Sequence, residues 1–417
     1  MFRTTRMTSL ALAAAATLAL TACGGGSNDN GGGEGSSAQT NAMYAWISNE
    51  NDRAQWQAFI DAAKEEDPSF DLTLEGPTFA DYWTKVKTRM SASDAPCIMT
   101  TQAARAQELE SLLEPLDELA EKNGLDLTQF NAAMMQGMTV DGTVRAIPYD
   151  AEPNVLFYNR TAFAEAGLTD PTTSYTRDQF LSDAKALTGD GKYGISLLPG
   201  VISPMALAVA FAEGTAPTAD GELTLTDPAF VEAVQWVMDL ANTEQVAKPT
   251  GGAEEAATQQ AFMSGEAAMV VDGPWMYTAY KEGLVDGELG VAVIPTKSGE
   301  TGSVIQGSGF GIAKTCADKD GAFQNIMKIT TPEVIGTVGR TRGTVPSIES
   351  VIVEWAEDKG AGDLDAVKAM LAGGGPLITT PSWNQVQTLS MQFGAEATNG
   401  NKSAEEILTQ IQQSAQG

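Results

Sequence analysis

Short apolar runs alternate along the chain with segments in which apolar residues recur at helical spacing. The run at 43–47 predicts a buried strand, and Trp56, Phe59, Ile60 and Ala63 then fall at i, i+3, i+4 and i+7, as on one face of a helix. The same patterns predict further strands at 72–75, 97–101, 155–158, 268–271, 290–294 and 309–313, and further helices at 79–90, 102–113, 254–264, 321–330, 363–371 and 403–412. Such alternation is typical of a mostly parallel sheet that helices cover on both faces. Because a second set begins at residue 155, the pattern predicts two α/β lobes.

Local signals mark where several of these elements begin. Thr176, followed three residues later by Gln179, predicts the start of a helix, and so does Asp227 directly before Pro228. The pair at 141–142, Asp-Gly between two apolar stretches, predicts a hairpin turn.

Composition narrows the classes of function. The 417 residues include 25 Lys and Arg, 54 Asp and Glu and no histidine, so the formal net charge is −29. Without histidine, a Ser-His-Asp or Cys-His nucleophile system and any histidine-containing zinc site are excluded. The strong acidity argues against nucleic acid as a partner, and it favours a neutral or cationic ligand over a large anionic one.

The N-terminus has the features of an export signal. Arg3 and Arg6 precede an apolar run at 10–20 that is too short for a good membrane span. The run ends in Leu-Thr-Ala-Cys23, which resembles the lipobox of bacterial lipoproteins. The resemblance implies that diacylglycerol is attached to the Cys23 sulfur and that the chain is cleaved just before it. The alternative is a plain secretory signal with an incidental cysteine.

These features predict a signal peptide at 1–22, then a lipidated Cys23 and a flexible Gly/Ser linker to residue 41. The folded body would then be anchored by lipid at the extracellular face of the cell membrane. Cys97 and Cys316 are the other two cysteines. In an exported protein they could form a disulfide, or they could be two separate buried thiols, and the sequence leaves both alternatives open.

Three blocks of sequence resemble family-1 extracellular solute-binding proteins, the carbohydrate-type receptors of ABC importers, a family that includes maltose-binding protein. The first block is Pro148-Tyr-Asp-Ala-Glu-Pro-Asn-Val-Leu-Phe-Tyr-Asn159, in which Tyr149 stands where the family has a small or aliphatic residue. The second block runs from Phe262 through Gly273-Pro-Trp275, and the third is the segment 307–312, Gly-Ser-Gly-Phe-Gly-Ile. Together with the lipobox, the resemblance covers nearly the whole chain.

The resemblance implies an α/β, two-lobed periplasmic-binding-protein-like fold with a hinge and an interlobe ligand cleft. The lobes of this family are joined by two or three crossings of the chain, and hinge closure buries the ligand. We predict a first lobe from 43–150 plus about 310–370, and a second lobe from about 151–309 plus about 371–417.

A sugar ligand would need hydrogen-bonding side chains for its hydroxyls and flat aromatic rings for its C–H faces. Ligands of open parallel sheets bind at the carboxyl ends of the strands. The candidate substrate-binding residues, at strand ends or in loops, are Trp46, Ser48, Asn49, Glu50, Thr101, Gln102, Tyr149, Asp150, Glu152, Trp275, Ser308, Arg342, Trp383 and Asn384. Trp46 fits a core strand residue equally well, and Trp275 could instead pack between helices.

Asp150 and Glu152 also allow a different hypothesis. Two carboxylates in one cleft could be the acid and nucleophile of a glycoside hydrolase. Residues two apart in an extended segment face the same way and do not straddle a scissile bond, so the simpler role is to accept hydrogen bonds from sugar hydroxyls. A structural role, such as capping a helix, is the alternative for either residue.

The predicted function is therefore that of a membrane-tethered, monomeric, non-enzymatic receptor that captures a sugar, of oligosaccharide size, for an ABC permease. No cofactor and no metal site are predicted. The rival hypotheses are a receptor for another uncharged or cationic solute, such as a polyol or a peptide, and an extracellular glycosidase.

Overall fold

The structure is a computed structural model that describes residues 39–171, 173–248, 255–357 and 359–416. The predicted signal peptide, Cys23 and most of the linker lie outside the described residues. No helix in the described ranges is both long enough and apolar enough to cross a membrane.

Strands and helices alternate as the pattern predicts. The strands are β1 (Ala42–Tyr44), β2 (Thr73–Glu75), β3 (Ile98–Gln102), β4 (Thr139–Val140), β5 (Thr143–Val144), β6 (Ile147–Pro148), β7 (Glu152–Pro153), β8 (Val155–Asn159), β9 (Tyr193–Ser196), β10 (Thr218–Ala219), β11 (Glu222–Leu223), β12 (Ala247–Lys248), β13 (Ala267–Asp272), β14 (Leu289–Ala292), β15 (Val304–Gln306), β16 (Ser308–Ile312) and β17 (Gly375–Pro376).

The α-helices are Glu50–Glu66, Phe79–Met90, Ala106–Leu109, Asp117–Asn123, Ala132–Gly137, Arg160–Glu165, Arg177–Ala186, Pro204–Ala212, Pro228–Asn242, Glu255–Met263, Tyr277–Gly283, Lys319–Ile329, Pro332–Arg342, Ile352–Trp355, Ala361–Gly373, Trp383–Thr398 and Ala404–Gln416. Short 3-10 helices are Ala103–Arg105, Glu110–Leu112, Leu127–Gln129, Pro274–Met276 and Glu349–Val351.

Two five-stranded sheets form the centres of two lobes. The order is β2-β1-β3-β16-β6 in the first lobe and β12-β9-β13-β8-β14 in the second. In each sheet the first three strands pair in parallel, and the fourth strand is antiparallel to both of its neighbours. The prediction of mostly parallel sheets therefore holds for only half of each sheet. The antiparallel strands β8 and β16 each follow a crossing between lobes, so a strand–helix–strand connection does not set their direction.

The predicted local signals are confirmed. The Thr176 hydroxyl accepts a hydrogen bond from Gln179 N at 3.2 Å, and Asp227 Oδ1 accepts one from Ala229 N at 2.8 Å, so both residues cap their helices. β4 and β5 pair as a hairpin across residues 141–142, which have φ angles of 49° and 75°. Positive φ at both central positions is what a type I′ turn requires, and Asp-Gly tolerates it.

The chain crosses between the lobes at three places within the described residues. The first crossing leads from β6 through β7 into β8, the second from β14 through β15 into β16, and the third from helix Pro332–Arg342 through residues 344–347. β7, β15 and β17 form a three-stranded sheet at the crossings. This bundle of crossings is the hinge.

One predicted boundary is wrong. The sequence analysis assigned residues up to about 370 to the first lobe, but helix Ala361–Gly373 packs on β14 and β8 of the second sheet. Its residues Ala366, Val367 and Met370 belong to the second lobe's hydrophobic core. The amphipathic pattern of this helix predicts a buried face but does not specify which sheet buries it.

Cys97 and Cys316 form a disulfide, with an S–S distance of 1.97 Å, and the alternative of two separate thiols is wrong. Cys97 precedes β3 and Cys316 follows β16, the adjacent strand of the first sheet. The cysteines are separated by 219 positions in sequence. The disulfide therefore links two adjacent strands of the first lobe. Most of the second lobe lies between these two strands in sequence.

Candidate ligand-binding cleft

Aromatic rings cluster at the carboxyl ends of β1 and β2. Trp46 lies two residues beyond β1, with its ring centroid 5.5 Å from that of Phe79 and 5.8 Å from that of Trp83. Trp46 is half-buried, whereas Phe79 is a large apolar side chain that is 41% exposed. The exposed ring of Phe79, supported edge-on by two tryptophans, offers a flat apolar surface to a ligand.

Phe79 was predicted only as the first residue of a helix, not as a ligand-binding residue. A signal was present, because Phe79 directly follows the helix cap Thr78, three residues beyond the end of β2. A large aromatic residue at that point falls at the carboxyl end of a parallel strand, where ligands bind.

Three candidates after β1 have local roles in the structure. Ser48 Oγ accepts a hydrogen bond from Phe79 N at 3.0 Å, and Asn49 Oδ1 accepts one from Asp52 N at 3.1 Å at the start of helix Glu50–Glu66. The Glu50 side chain is 94% exposed, with Oε1 4.0 Å from Arg53 Nε. Ser48 and Asn49 therefore shape the loop, and Glu50 extends from it into solvent. Ligand contact by these three residues stays a prediction.

The end of β3 carries a buried arginine that the sequence analysis also missed. Thr101 is buried and Gln102 is half-buried at the strand end, and three residues later Arg105 is only 4% exposed. The Arg105 guanidinium lies over the Trp83 ring, 4.8 Å from its centroid, and its Nη1 is 3.0 Å from Glu108 Oε2. Burial lowers the pKa of Arg105, and the Glu108 carboxylate opposes that shift.

Trp275 follows β13 in the second lobe, at the position that the sequence predicts. It lies in the 3-10 helix Pro274–Met276 and is half-buried. Its ring covers Gly273, where an added Cβ would lie 1.9 Å from Trp275 Cζ3. Only glycine fits beneath the indole, so Gly273 is required for this orientation of Trp275.

A buried carboxylate holds the turn that carries Trp275. Asp272 Oδ1 accepts a hydrogen bond from Gly273 N at 2.8 Å, and Oδ2 accepts one from the Tyr280 hydroxyl at 2.6 Å. Asp272 is 1% exposed, and burial raises its pKa. Its position in front of helix Tyr277–Gly283 makes Asp272 a structural support for Trp275.

Asp150 and Glu152 lie in the hinge, and each holds a different crossing. Asp150 Oδ1 accepts a hydrogen bond from Ser308 N at 2.5 Å, on the second crossing. Glu152 Oε1 accepts one from Val345 N at 3.0 Å, on the third crossing. The observed role of both carboxylates, and of Ser308, is therefore to join crossing strands, which is neither of the two chemical roles that the sequence suggested.

Burial dominates the electrostatics of this carboxylate pair. Asp150 is 5% exposed and Glu152 is 1% exposed. Burial raises the pKa of Asp150 to about 8, and burial together with the nearby Asp150 raises the pKa of Glu152 well above its usual value. Glu152 Oε2 is buried without a hydrogen-bond partner among the described residues. Ligand contact by Glu152 stays a prediction.

Tyr149 and Trp383 are core residues, which corrects their assignment to the ligand site. Tyr149 is 3% exposed, with its ring 4.9 Å from that of Phe310 and 5.1 Å from that of Phe59 in the first lobe's core. Trp383 is fully buried in the core of the second lobe. Both stand beside polar loop residues in the sequence, but their rings turn inward because packing a large aromatic surface outweighs solvation of its polar tip.

The remaining candidates lie near the second lobe. Asn384 is half-buried in the first turn of helix Trp383–Thr398. Arg342 is half-buried and precedes Gly343, which has φ +83° and ends helix Pro332–Arg342. An added Cβ on Gly343 would lie 3.1 Å from Thr278 Oγ1, so this end of the helix meets the turn that follows Trp275.

The candidates thus form three groups. The first lobe contributes the rings of Trp46 and Phe79 with Gln102 and Arg105, the second lobe contributes Trp275, and the hinge contributes its two carboxylates. Rings on both lobes, together with polar side chains on the first lobe and at the hinge, suit a ligand with both hydroxyls and apolar faces. Among the described residues, no group of three or more metal-ligating side chains forms a metal site.

A sequence model of one protein family, bacterial extracellular solute-binding proteins, matches residues 58–363. The maltodextrin-binding protein of Bacillus subtilis is 29% identical over 181 residues, which are 40% of this chain and 40% of that protein. The lactose-binding protein of Rhizobium radiobacter is 25% identical over 283 residues, which are 64% of each chain. The chain thus spans 40% to 64% of the length of these relatives.

The fold is similar to that of solved two-lobed binding proteins. An ABC substrate-binding protein from Listeria monocytogenes, solved in complex with cycloalternan, superimposes with a TM-score of 0.78. The match covers 90% of this chain and 97% of that chain at 19% sequence identity. At this identity the likeness establishes the two-lobed fold.

Proposed function

We propose, from the premise that the chain belongs to the family of bacterial extracellular solute-binding proteins, that it captures a sugar of oligosaccharide size. The sugar binds in the cleft between the lobes, and hinge closure buries it. The protein then delivers it to an ABC importer. It carries out no reaction on the sugar itself.

The observation that carries this proposal is the placement of aromatic rings on both lobes. Phe79 with Trp46 lies at the strand ends of the first lobe, and Trp275 lies at a strand end of the second. Sugar rings have apolar C–H faces that pack on such surfaces, and a ring on each lobe suits a ligand longer than one ring. The relatives named for maltodextrin and lactose, and the similar structure with cycloalternan, support the sugar class.

The hinge location of Asp150 and Glu152 argues against the glycosidase hypothesis. A hydrolase needs one carboxyl group on each side of the scissile bond, with a sugar between them. Both carboxylates here are buried, and each accepts a backbone N–H from a crossing strand. They support the lobe connection, so we propose a receptor and not an enzyme.

We also propose that the receptor is a monomer anchored by lipid at Cys23 on the extracellular face of the membrane. Support comes from the Leu-Thr-Ala-Cys23 sequence after the apolar run. Acyl chains contribute about 0.8 kcal/mol per buried CH₂, so two or three chains hold a protein firmly. Cys23→Ala should release the protein to the medium or block its processing, and normal membrane retention of this variant would contradict the anchor.

Calorimetry against a ligand panel tests the proposed function. The panel contains α- and β-linked oligosaccharides of two to seven units, with polyols and short peptides as competing classes. We expect saturable binding of at least one oligosaccharide and no release of shorter sugars by the pure protein. Binding of only a polyol or a peptide would move the proposal to that class, and turnover of an oligosaccharide would overturn the receptor role.

A further inference from the structure

The side chain of Arg105 reaches from the first lobe to the second lobe. Its Nη2 donates a hydrogen bond to Oε1 of Gln387, in helix Trp383–Thr398. Beside this contact, Thr379 Oγ1 donates to Ala104 O at 2.7 Å. Ala104 and Arg105 belong to the 3-10 helix that follows β3 of the first lobe, whereas helix Trp383–Thr398 packs on helices Pro228–Asn242 and Ala404–Gln416 of the second.

The first lobe holds Arg105 in a fixed orientation. Glu108 Oε2 lies 3.0 Å from Arg105 Nη1, and its other oxygen lies 2.9 Å from Lys87 Nζ. Trp83 lies beneath the guanidinium plane. Both the Arg105 and the Glu108 side chains are 5% exposed. The ion pair and the ring fix the guanidinium before any contact with the second lobe, so little rotamer entropy remains to be lost when Nη2 meets Gln387.

Gln387 lies on the cleft side of the second lobe. Its helix is joined to the loop after β9 by hydrogen bonds from Val201 N to Ser390 O at 3.1 Å and from Ile202 N to Ser390 Oγ at 2.7 Å. That loop leaves the carboxyl end of β9, as Arg105 follows the carboxyl end of β3. Because ligand clefts lie at the carboxyl ends of parallel strands, we expect opening of the hinge to separate Arg105 from Gln387.

We propose that Arg105 and Gln387 form an interlobe latch that stabilises the closed arrangement of the receptor and thereby slows release of its ligand. This inference rests on the proposed function for its effect on ligand release. The latch itself is a property of the chain without ligand. Arg105 is held by its own lobe, so Gln387 is the member whose replacement should change the closing equilibrium and leave the fold intact.

The test is a charge series at Gln387, made as Gln387→Glu, Gln387→Ala and Gln387→Lys. A carboxylate opposite the guanidinium strengthens the contact, a methyl group removes it, and an ammonium group repels it. The matched control is the same series at Gln385, an exposed glutamine on the same helix whose Nε2 donates to Ser414 O within the second lobe.

Two measurements apply to every variant: the radius of gyration without ligand by small-angle scattering, and the release rate of the bound oligosaccharide by stopped flow. We expect the ligand-free radius to increase in the order Glu, Gln, Ala, Lys. Release should slow with Glu and accelerate with Ala and Lys by roughly 2- to 5-fold, the range of one partly exposed charged contact. The effect of Glu should fade at 1 M salt. Unfolding midpoints should stay close to that of the wild type.

Equal ligand-free radii across the Gln387 series would overturn the latch, as would the same changes in the Gln385 series. If release rates change while the ligand-free radii do not, Gln387 is a ligand contact and the latch is wrong. If no variant and no wild-type protein binds a sugar, the proposed function fails, but the order of ligand-free radii still decides whether the latch exists.

Discussion

The two lobes share one sheet plan but present different surfaces to the cleft. In both sheets the central strand is parallel to its neighbour on one side and antiparallel to its neighbour on the other. The strand ends of the first lobe carry the clustered rings of Trp46, Phe79 and Trp83 with Arg105 beside them. The second lobe presents Trp275 on a turn that Asp272 supports.

This difference indicates which contacts with the ligand each lobe makes, and at which stage of binding. A supported cluster of rings offers a ligand surface before the lobes close, whereas a ring on the other lobe adds its contact only on closure. We therefore expect the first lobe to hold the sugar in the open receptor and Trp275 to complete the site. The lobes also differ in covalent structure, because the disulfide closes the first sheet. Four measurements, in order of expected effect, test this comparison.

The largest expected effect is on the core of the second lobe. Trp383→Ala should lower the free energy of unfolding by about 3–5 kcal/mol, because it leaves a large cavity in a fully buried site. Denaturant unfolding without ligand measures the loss. If Trp383→Ala keeps the wild-type stability but loses affinity for the sugar, Trp383 is a ligand-binding residue after all.

Reduction of the disulfide should destabilise the first lobe. Opening the Cys97–Cys316 bridge frees a loop of 219 positions in the unfolded chain and should cost about 2–5 kcal/mol of unfolding free energy. Unfolding with and without reductant measures the effect. The Cys97→Ser, Cys316→Ser double variant is the control, since reductant should not shift its midpoint further. Identical midpoints for oxidised and reduced wild type would contradict this role.

Trp275→Ala tests whether Trp275 binds the ligand in the cleft or packs in a hydrophobic core. We expect sugar affinity to weaken by about 2 kcal/mol, the size of a binding hot spot. Stability should change little, because the indole is half-buried and covers only a turn. Phe79→Ala is the matched change on the first lobe and should slow association as well. Unchanged affinity with a large loss of stability would show that Trp275 is a packing residue.

The smallest expected effect, counted per pH unit, is a pH dependence that the hinge carboxylates cause. The raised pKa of Asp150, about 8, means that the folded state keeps a proton that the unfolded chain loses above about pH 4. The free energy of unfolding should therefore fall as the pH rises from about 4 to 8, by at most about 1.4 kcal/mol per pH unit for one proton.

Glu152→Gln tests this pH effect, because its amide oxygen can still accept the hydrogen bond from Val345 N but the group no longer titrates. The variant therefore lacks the loss of stability with rising pH that the raised pKa of Glu152 causes in the wild type. The difference in unfolding free energy between variant and wild type, measured at pH 5, 6.5 and 8, should increase with pH. A constant difference would mean that the pair does not titrate in this range.

Much of the fold was predictable because its signals are local. The helix caps Thr176 and Asp227 and the Asp-Gly hairpin depend on side chains within three residues of each other, and all three are confirmed. The family blocks likewise predicted two lobes with a hinge. The lobe assignment of helix Ala361–Gly373 was wrong, because periodicity predicts a buried face and not the sheet that covers it.

The cleft was less predictable because its roles depend on distant partners. In sequence, Asp150 and Glu152 have the side chains of ligand-binding residues. Only folding brings Ser308 and Val345, more than 150 positions away, close enough to donate hydrogen bonds to them. Tyr149 and Trp383 sit in polar stretches, but their rings turn inward. Arg105 was missed for the opposite reason. In sequence it is an ordinary helical arginine, and only folding brings Trp83 and Gln387 into contact with it.

The central claim is that two lobes close on a sugar, and small-angle scattering of the whole receptor tests it most directly. The radius of gyration is measured without ligand and with a saturating concentration of the oligosaccharide that calorimetry identifies. We expect a smaller radius with the sugar, and a Trp275→Ala variant that closes less at the same occupancy. An unchanged radius at full occupancy would contradict closure and with it the proposed division of binding between the lobes.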